Sequence, residues 1–307
     1  MKISTTLFLD RAAGQIGNIQ GSLSKIQEQL STGKEIVRPS DEPDKAAAVT
    51  RLETTLSKHD NYKSALNMVK TRLGFEETAL TSVSDALNRI KELAVQASND
   101  TLGAQDRKSV ALEIKSLRDQ ILSYANSQDT NGHYIFAGGR GESPAFGDNG
   151  KGQVDYLGDQ SRTQVIVGDN RRLNANRAGS DVFTRVMRDD GKGGTVGVGF
   201  FQALDDLTRS IETSDRAGMK RGLGELDQSD QAITNGLAMV GADGNVVDVQ
   251  TSVLDALSLQ MKTTLSEVQD LDYTTAITKM NRDQLALEAA QSSFAKISKL
   301  SLFNYLG

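Results

Sequence analysis

Catalysis needs side chains that ionise, ligate or attack, and this sequence offers few of them in useful spacing. Its only histidines are His59 and His133. Neither falls in an H-x-x-x-H or E-x-x-H pattern, which would put two ligands on one helix face. A lone histidine on a helical seam is more often structural than a ligand. The chain has no cysteine, which excludes disulfides, thiolate metal sites and a cysteine nucleophile. Gly138-Gly139-Arg140-Gly141 and Gly191-Lys192-Gly193-Gly194 lack the residue order and strand-to-helix setting of a phosphate loop, so both read as flexible turns. Asp243-Gly244-Asn245 does not extend into a calcium-loop pattern. The adjacent carboxylates Asp205-Asp206 and Glu76-Glu77 point to different parts of a helix surface and read as solvent-facing. No basic cluster interleaves with aromatics, so nucleic acid is not an expected partner. No catalytic residue, cofactor or metal ligand emerges. The sequence offers interaction surface.

Composition agrees. The 307 residues could form two or three domains, but hydrophobic residues are 37% and aromatics 5%, with no tryptophan. That is thin for a compact enzyme and suits elongated helices packed through stripes of Ala, Leu and Val. The net charge of −5 is mild. The apolar start Ile3 to Leu9 is cut by Asp10-Arg11, too early for a secretory signal. No apolar run approaches the roughly 20 residues that span a bilayer, so no membrane insertion is expected. Composition by itself points to a soluble cytoplasmic protein.

The elements that must position any interaction surface are two terminal seams. Leu9, Ala12, Ile16, Ile19, Leu23, Ile26 and Leu30 alternate steps of three and four, a full heptad seam. At the other end Ala276, Met280, Asp283, Leu287, Ala290, Phe294 and Ile297 do the same, broken once by Asp283. Stripes this narrow are unstable alone in water and need a partner helix. The spacing predicts that the two termini pair as a coiled coil. Its assembly residues would be Leu9, Ile16, Ile19, Leu23, Ile26, Leu30, Met280, Leu287, Phe294 and Ile297.

Between the seams, Gly33 is placed to cap the first helix and Ser40 to open the second, with Pro43 at its entrance. Three-four spacing then runs from Val49 through His59, Glu76 and Ile90 to Ala97. A turn is expected at Ser98–Gly103, with Asp100 or Thr101 near the next helix entrance. The third helix carries Val110, Ile114, Leu117, Ile121 and Tyr124 and should end near Asn131-Gly132. From His133 to about Gly199 the chain is rich in Gly, Asp and Asn. Strands are expected at Tyr134–Phe136, Gln153–Tyr156 and Thr163–Val167, and a flexible loop at Arg188–Gly194. Helical spacing returns at Phe201, Leu204, Leu207 and Ile211, then from Asp215 to Met239. Gly241–Asn245 reads as a turn. Beyond it Val249, Val253, Leu257, Met261, Leu265 and Val268 form a stripe leading unbroken into the last helix. The expected fold is mainly α with an inserted β-rich domain, on a long antiparallel helical rod built from both halves of the chain. Its parts would be a terminal coiled-coil assembly domain (1–43 with 270–307), a helical rod domain (44–131 with 200–269) and an outer β-rich domain (132–199).

Several stretches resemble the bacterial flagellin-like proteins. They are Leu30-Ser31-Thr32-Gly33-Lys34-Glu35-Ile36 followed by Arg38-Pro39-Ser40-Asp41-Glu42-Pro43, then Asn131-Gly132-His133-Tyr134-Ile135-Phe136-Ala137-Gly138. Leu271–Ile277 and Ser301–Leu306 complete the set. The Arg-Pro-Ser-Asp-x-Pro form looks like the family's hook-filament junction branch. Filament flagellins usually continue with a Lys-Asp-Asp-Ala-Ala-Gly-type sequence, where this chain has Glu42-Pro43-Asp44-Lys45-Ala46. The resemblance implies a non-enzymatic subunit exported through the flagellum's own type III channel, without a cleaved signal, to an extracellular position. It implies four partners: another hook-associated protein on the hook side, flagellin, copies of the chain in a ring or helical layer, and an export chaperone on the C-terminal helix region. The cytoplasmic expectation is thereby replaced. Filament flagellin is the alternative, and a helical signalling protein or an enzyme hidden in the insertion are weaker ones.

Overall fold

The computed structural model describes residues 2–99, 102–150, 153–189 and 193–306. Among these residues six α-helices and three hairpins follow in chain order: α1 (Lys2–Thr32), α2 (Pro43–Ala97), α3 (Ala104–Ala125), β1 (Phe146–Asp148), β2 (Val154–Tyr156), β3 (Gln164–Gly168), β4 (Arg171–Asn174), β5 (Val186–Asp189), β6 (Thr195–Val198), α4 (Phe200–Glu212), α5 (Arg216–Gln269) and α6 (Tyr273–Leu306). The chain is mainly α with an inserted β-rich segment, as expected. It divides into two compact units, Met1–His59 with Asp255–Gly307 and Asp60–Leu254.

In the first unit the boundaries follow local chemistry. Gly33 takes φ +69° and ends α1, a conformation that favours glycine. Pro43 sits at the first position of α2, where its missing N–H is harmless. The helix therefore opens two residues later than Ser40 would cap it, and Ala46 N–H bonds the Glu42 carbonyl. The run from Val246 to the C-terminus is not continuous. It breaks at Asp270–Asp272, where Asp272 caps α6 by accepting from the N–H groups of Thr274 (2.9 Å) and Thr275 (3.3 Å). Those bonds hold the Asp272 carboxyl below its usual range, with the Thr275 hydroxyl the largest contributor. His59 is buried, its Nδ1 3.4 Å from Ser258 Oγ. It is a packed structural histidine.

The second unit packs α2, α3, α4 and α5 with the insertion around one core, in which Leu66, Leu80, Leu87, Ile90, Ile114, Ile121, Leu204 and Leu207 are buried. Five phenylalanines join it, Phe136, Phe146, Phe183, Phe200 and Phe201, in mostly edge-to-face contacts 5.1–5.5 Å apart. Such pairs add to the burial of their area.

Several expectations need correction here. Gly241–Asn245 is not a turn, because α5 runs straight through it. Val240 and Val247 are buried on either side, and packing of that face outweighs about 1 kcal/mol of helix propensity lost per glycine. The buried stripe of α5 is Met219, Leu226, Ile233, Val240, Val247 and Leu254, spaced by seven throughout. Val249, Val253 and Leu257 are exposed instead, because a stripe counted from Val249 falls on the wrong face. The third helix stops at Ala125, short of Asn131-Gly132. Asn126 leaves the helix because its amide both donates to the Phe146 carbonyl and accepts from the Phe146 N–H, each at 2.9 Å. The next helix opens at Gly103; Asp100 and Thr101 lie outside the described residues.

The insertion is three separate antiparallel hairpins. Strands β2 and β3 match expectation. Tyr134–Phe136 is not a strand: its polar backbone is met by Gly141 O, Ser127 O and the Arg72 guanidinium, and Ile135 and Phe136 plug the core. Arg188 and Asp189 lie not in a flexible loop but in β5, paired with β6. Side-chain amides hold two of the outer strands. Besides Asn126 on β1, Gln228 of α5 accepts from Met187 N–H at 2.8 Å and donates to its carbonyl at 3.2 Å, standing in for the missing neighbour strand of β5.

Buried charges fasten the insertion. Arg188 reaches Glu225 at 2.6 Å and Asp206 at 2.8 Å, and these bonds, chiefly those to Glu225, hold its guanidinium firmly charged. Glu76 is not solvent-facing: it is 2% exposed. Arg177 approaches it at 3.3 Å and Arg72 at 3.7 Å, while Arg177 also reaches Asp243 at 2.7 Å. Burial pushes the Glu76 carboxyl above its ordinary value even so.

Candidate assembly surface

Helices α1 and α6 lie antiparallel, joined where their ends meet. Lys34 and Asp270 form a β-bridge, Glu35 N–H donates to Gln269 O at 2.8 Å, and Leu271 N–H to Gly33 O at 3.0 Å. This two-bond clasp sets which residues of the two helices face each other.

The predicted seam residues lie along the two paired helices. Ile26 is 2% exposed and Ala276 6%. Ala12, Ile16, Ile19, Leu23 and Leu30 on α1, and Met280, Leu287, Ala290, Phe294 and Ile297 on α6, are each half-buried. Leu9 belongs to α1 by its backbone; its side chain lies outside the described residues. Asp283, the polar break, accepts a 2.8 Å hydrogen bond from the Ser22 hydroxyl across the seam. The sequence shows Asp283 as a flaw, and Ser22, one residue off the α1 seam, gave no signal.

Around the clasp sits a ring of exposed ion pairs: Lys25–Asp41 at 3.1 Å, Arg38–Glu28 at 3.2 Å, and Lys45 with Glu35 at 3.1 Å and Glu42 at 2.8 Å. Such pairs are worth at most about 1 kcal/mol each, and they act more as orientation than as stability. They hold the conspicuous Arg38–Glu42 segment against the helices. Tyr273, Ile277 and Leu285 of α6 are exposed, and Leu285, on the side away from the seam, is the most open at 68%.

Among the described residues no group of three His, Asp or Glu could hold a metal ion, and no described helix is long and apolar enough to cross a membrane. His133 is exposed, 4.0 Å from Asp129. The arrangement is suited to helix association.

Paired terminal helices bracket a β insertion, an arrangement built for association through its ends rather than for chemistry. Two family profiles match the chain: the bacterial flagellin N-terminal helical region over residues 3–140 and the bacterial flagellin C-terminal helical region over residues 223–306. The chain belongs to the flagellin-like family of bacterial flagellar proteins. It is similar to flagellar hook-associated protein 3 of Escherichia coli (strain K12), 29% identical over 316 residues that cover 99% of each chain. Flagellar hook-associated protein 3 of Salmonella typhimurium is 28% identical over the same share. Flagellin of Listeria innocua is 22% identical, covering 97% of this chain and 96% of that one. The fold is also similar to that of FlgL from Xanthomonas campestris, at TM-score 0.61 and 23% identity, covering 70% of this chain and 99% of that one. These relatives are structural flagellar components, not enzymes.

Proposed function

We propose that this chain is the adaptor subunit that joins the hook, through another hook-associated protein, to the flagellin filament. The observation that carries the reading is similarity to flagellar hook-associated protein 3 over 99% of both chains at 29% identity. The match to flagellin is lower, at 22%. In this reading the chain leaves the cell through the flagellar type III channel without a cleaved signal and ends outside the cell, in contact with copies of itself. Residues 1–43 with 270–307 serve as the assembly domain. Residues 44–131 with 200–269 serve as the rod, and 132–199 as the outward part. The C-terminal helix region is where an export chaperone holds the chain beforehand.

The half-buried seam supports this. Fully burying a Leu or Ile is worth about 1.5–3 kcal/mol, so the surface left over on Ile16, Ile19, Leu23, Leu287 and Phe294 is there for neighbouring subunits. The test is polymerisation with purified protein. The adaptor should add to the hook end in a short layer and then accept flagellin. Long filaments grown from this chain by itself would make it a flagellin.

A further inference from the structure

The chain contains three Asn-Gly steps, Asn131-Gly132, Asn149-Gly150 and Asn235-Gly236. In an unfolded chain each is prone to the same reaction. The backbone nitrogen of the glycine attacks Cγ of the asparagine, a C–N bond forms, the Cγ–Nδ2 bond breaks and ammonia leaves. The resulting succinimide takes up water and opens at either carbonyl, giving aspartate or isoaspartate. Glycine is needed because, with no Cβ, its nitrogen is open to attack and its backbone turns freely. The fold treats the three steps differently.

Asn235-Gly236 lies inside α5, and a Cβ on Gly236 would lie 2.9 Å from Val182, so this backbone has no room to turn. At Asn149-Gly150 the amide of Asn149 donates to Asp155 at 2.7 Å, and Gly150 N–H to Asp148 at 2.8 Å. Both reacting groups are tied into the β1–β2 hairpin. Asn131-Gly132 is exposed on both residues. Gly132 has φ +81° with nothing within 4 Å of a built Cβ, and its N–H is held by one backbone bond, 3.0 Å to Asp129 O. We infer that Asn131 is the spontaneous deamidation site of the folded protein, converting to aspartate or isoaspartate at the exposed Asn131-Gly132 turn.

The position gives the reaction a consequence. Asp129 Oδ1 accepts from Asn131 N–H at 2.8 Å and from His133 N–H at 3.0 Å. Isoaspartate lengthens the backbone by one carbon inside that loop, and either product puts a new carboxylate beside Asp129. The loop leads directly to Ile135 and Phe136, which are fully buried, so ageing at Asn131 loosens the segment that plugs the core.

The full-length folded protein, aged in mildly alkaline buffer at physiological temperature, is digested and mapped by mass spectrometry for the gain of one dalton and for isoaspartate. Asn131 should convert at least about tenfold faster than Asn149 and Asn235, because those two must first open locally. Asn131→Gln should remove the leading product. The same chain aged in urea should lose the ranking, all three steps reacting at similar rates. Asn149 or Asn235 reacting first in the folded protein would overturn the inference. So would a ranking that is the same folded and unfolded.

Discussion

Replacing Gly241 and Gly244 by alanine should stabilise the protein, and replacing Gly236 should do the opposite. All three lie inside α5. A Cβ built on Gly241 or Gly244 meets nothing within 4 Å. Each alanine therefore gains its helix propensity, about 1 kcal/mol over glycine, part of it from restricting the unfolded chain. Together they give about 2 kcal/mol, which for a unit the size of Asp60–Leu254 raises the melting midpoint by about 4–8 °C. At Gly236 the same methyl would lie 2.9 Å from Val182 Cγ1 and 3.5 Å from Leu80 Cδ1. Val182 is fully buried and, being β-branched, has few rotamers to escape into. Overpacking costs about 1–3 kcal/mol; against a helix gain of about 1 kcal/mol, the balance is a loss of up to about 2 kcal/mol. Circular-dichroism melts of the three variants decide it. If Gly241→Ala or Gly244→Ala lowers the midpoint, the chain does turn at Gly241–Asn245 and the account of α5 fails.

Other perturbations reach the remaining parts. Arg177→Ala leaves Glu76 buried with only Arg72 near it and should cost about 3 kcal/mol in urea denaturation; a cost under about 1 kcal/mol would mean the pair is not buried. The Glu76 carboxyl titrates above its ordinary value. Its stabilising term is therefore present below pH 4.5 and is lost as pH rises through the folded value. Stability of Glu76→Gln, measured against pH, should lack that decline. Asp272 titrates below its ordinary value, so its capping contribution holds above the ordinary carboxylate range and disappears in strong acid. Asp272→Ala should speed amide exchange in the first turn of α6 near neutrality and match wild type in acid. Finally, Phe294→Asp with Ile297→Asp should block incorporation into the assembled flagellum while leaving the melting of Asp60–Leu254 unchanged. A lowered melt there would place these residues in the monomer's core.

What the sequence made legible depended on how local the cause was. The terminal seams could be read because their stripes are narrow and run without interruption, so phase is fixed over many turns. Gly33 and Pro43 were readable as boundaries because their backbone limits act at a single residue. The stripe of α5 is hidden in the sequence because Gly241 and Gly244 look like a turn, and a stripe counted from Val249 beyond them falls on the exposed face. Only buried contacts such as Val240 and Val247 carry the helix across. Strands β1, β4, β5 and β6 are three or four residues long and each is interrupted by Gly, Asp, Asn or Arg, so no β-forming run registers as the Val-Asp-Tyr of β2 does. Two of them are held by amides from other elements, Asn126 and Gln228. Glu76 looked exposed beside Glu77 because its partner Arg177 stands 101 residues away.

The seam between α1 and α6 is built to be weak, and its particulars say how. Gly14, Gly17 and Gly21 lie off the seam, each costing about 1 kcal/mol of helix stability relative to alanine. Asp283 occupies a position where an apolar side chain would add burial, and its bond to Ser22 recovers only about 1 kcal/mol of that. Most seam residues keep part of their surface uncovered. Asp283→Leu combined with Ser22→Ala should therefore tighten the pair, slowing amide exchange along both helices in the isolated protein. A weak pair is easily kept open while the chain passes through the type III channel, the route given to it by the proposed function, so this tighter variant should be secreted more slowly while still assembling once outside. Faster secretion, or unchanged exchange, would separate the strength of the seam from its use.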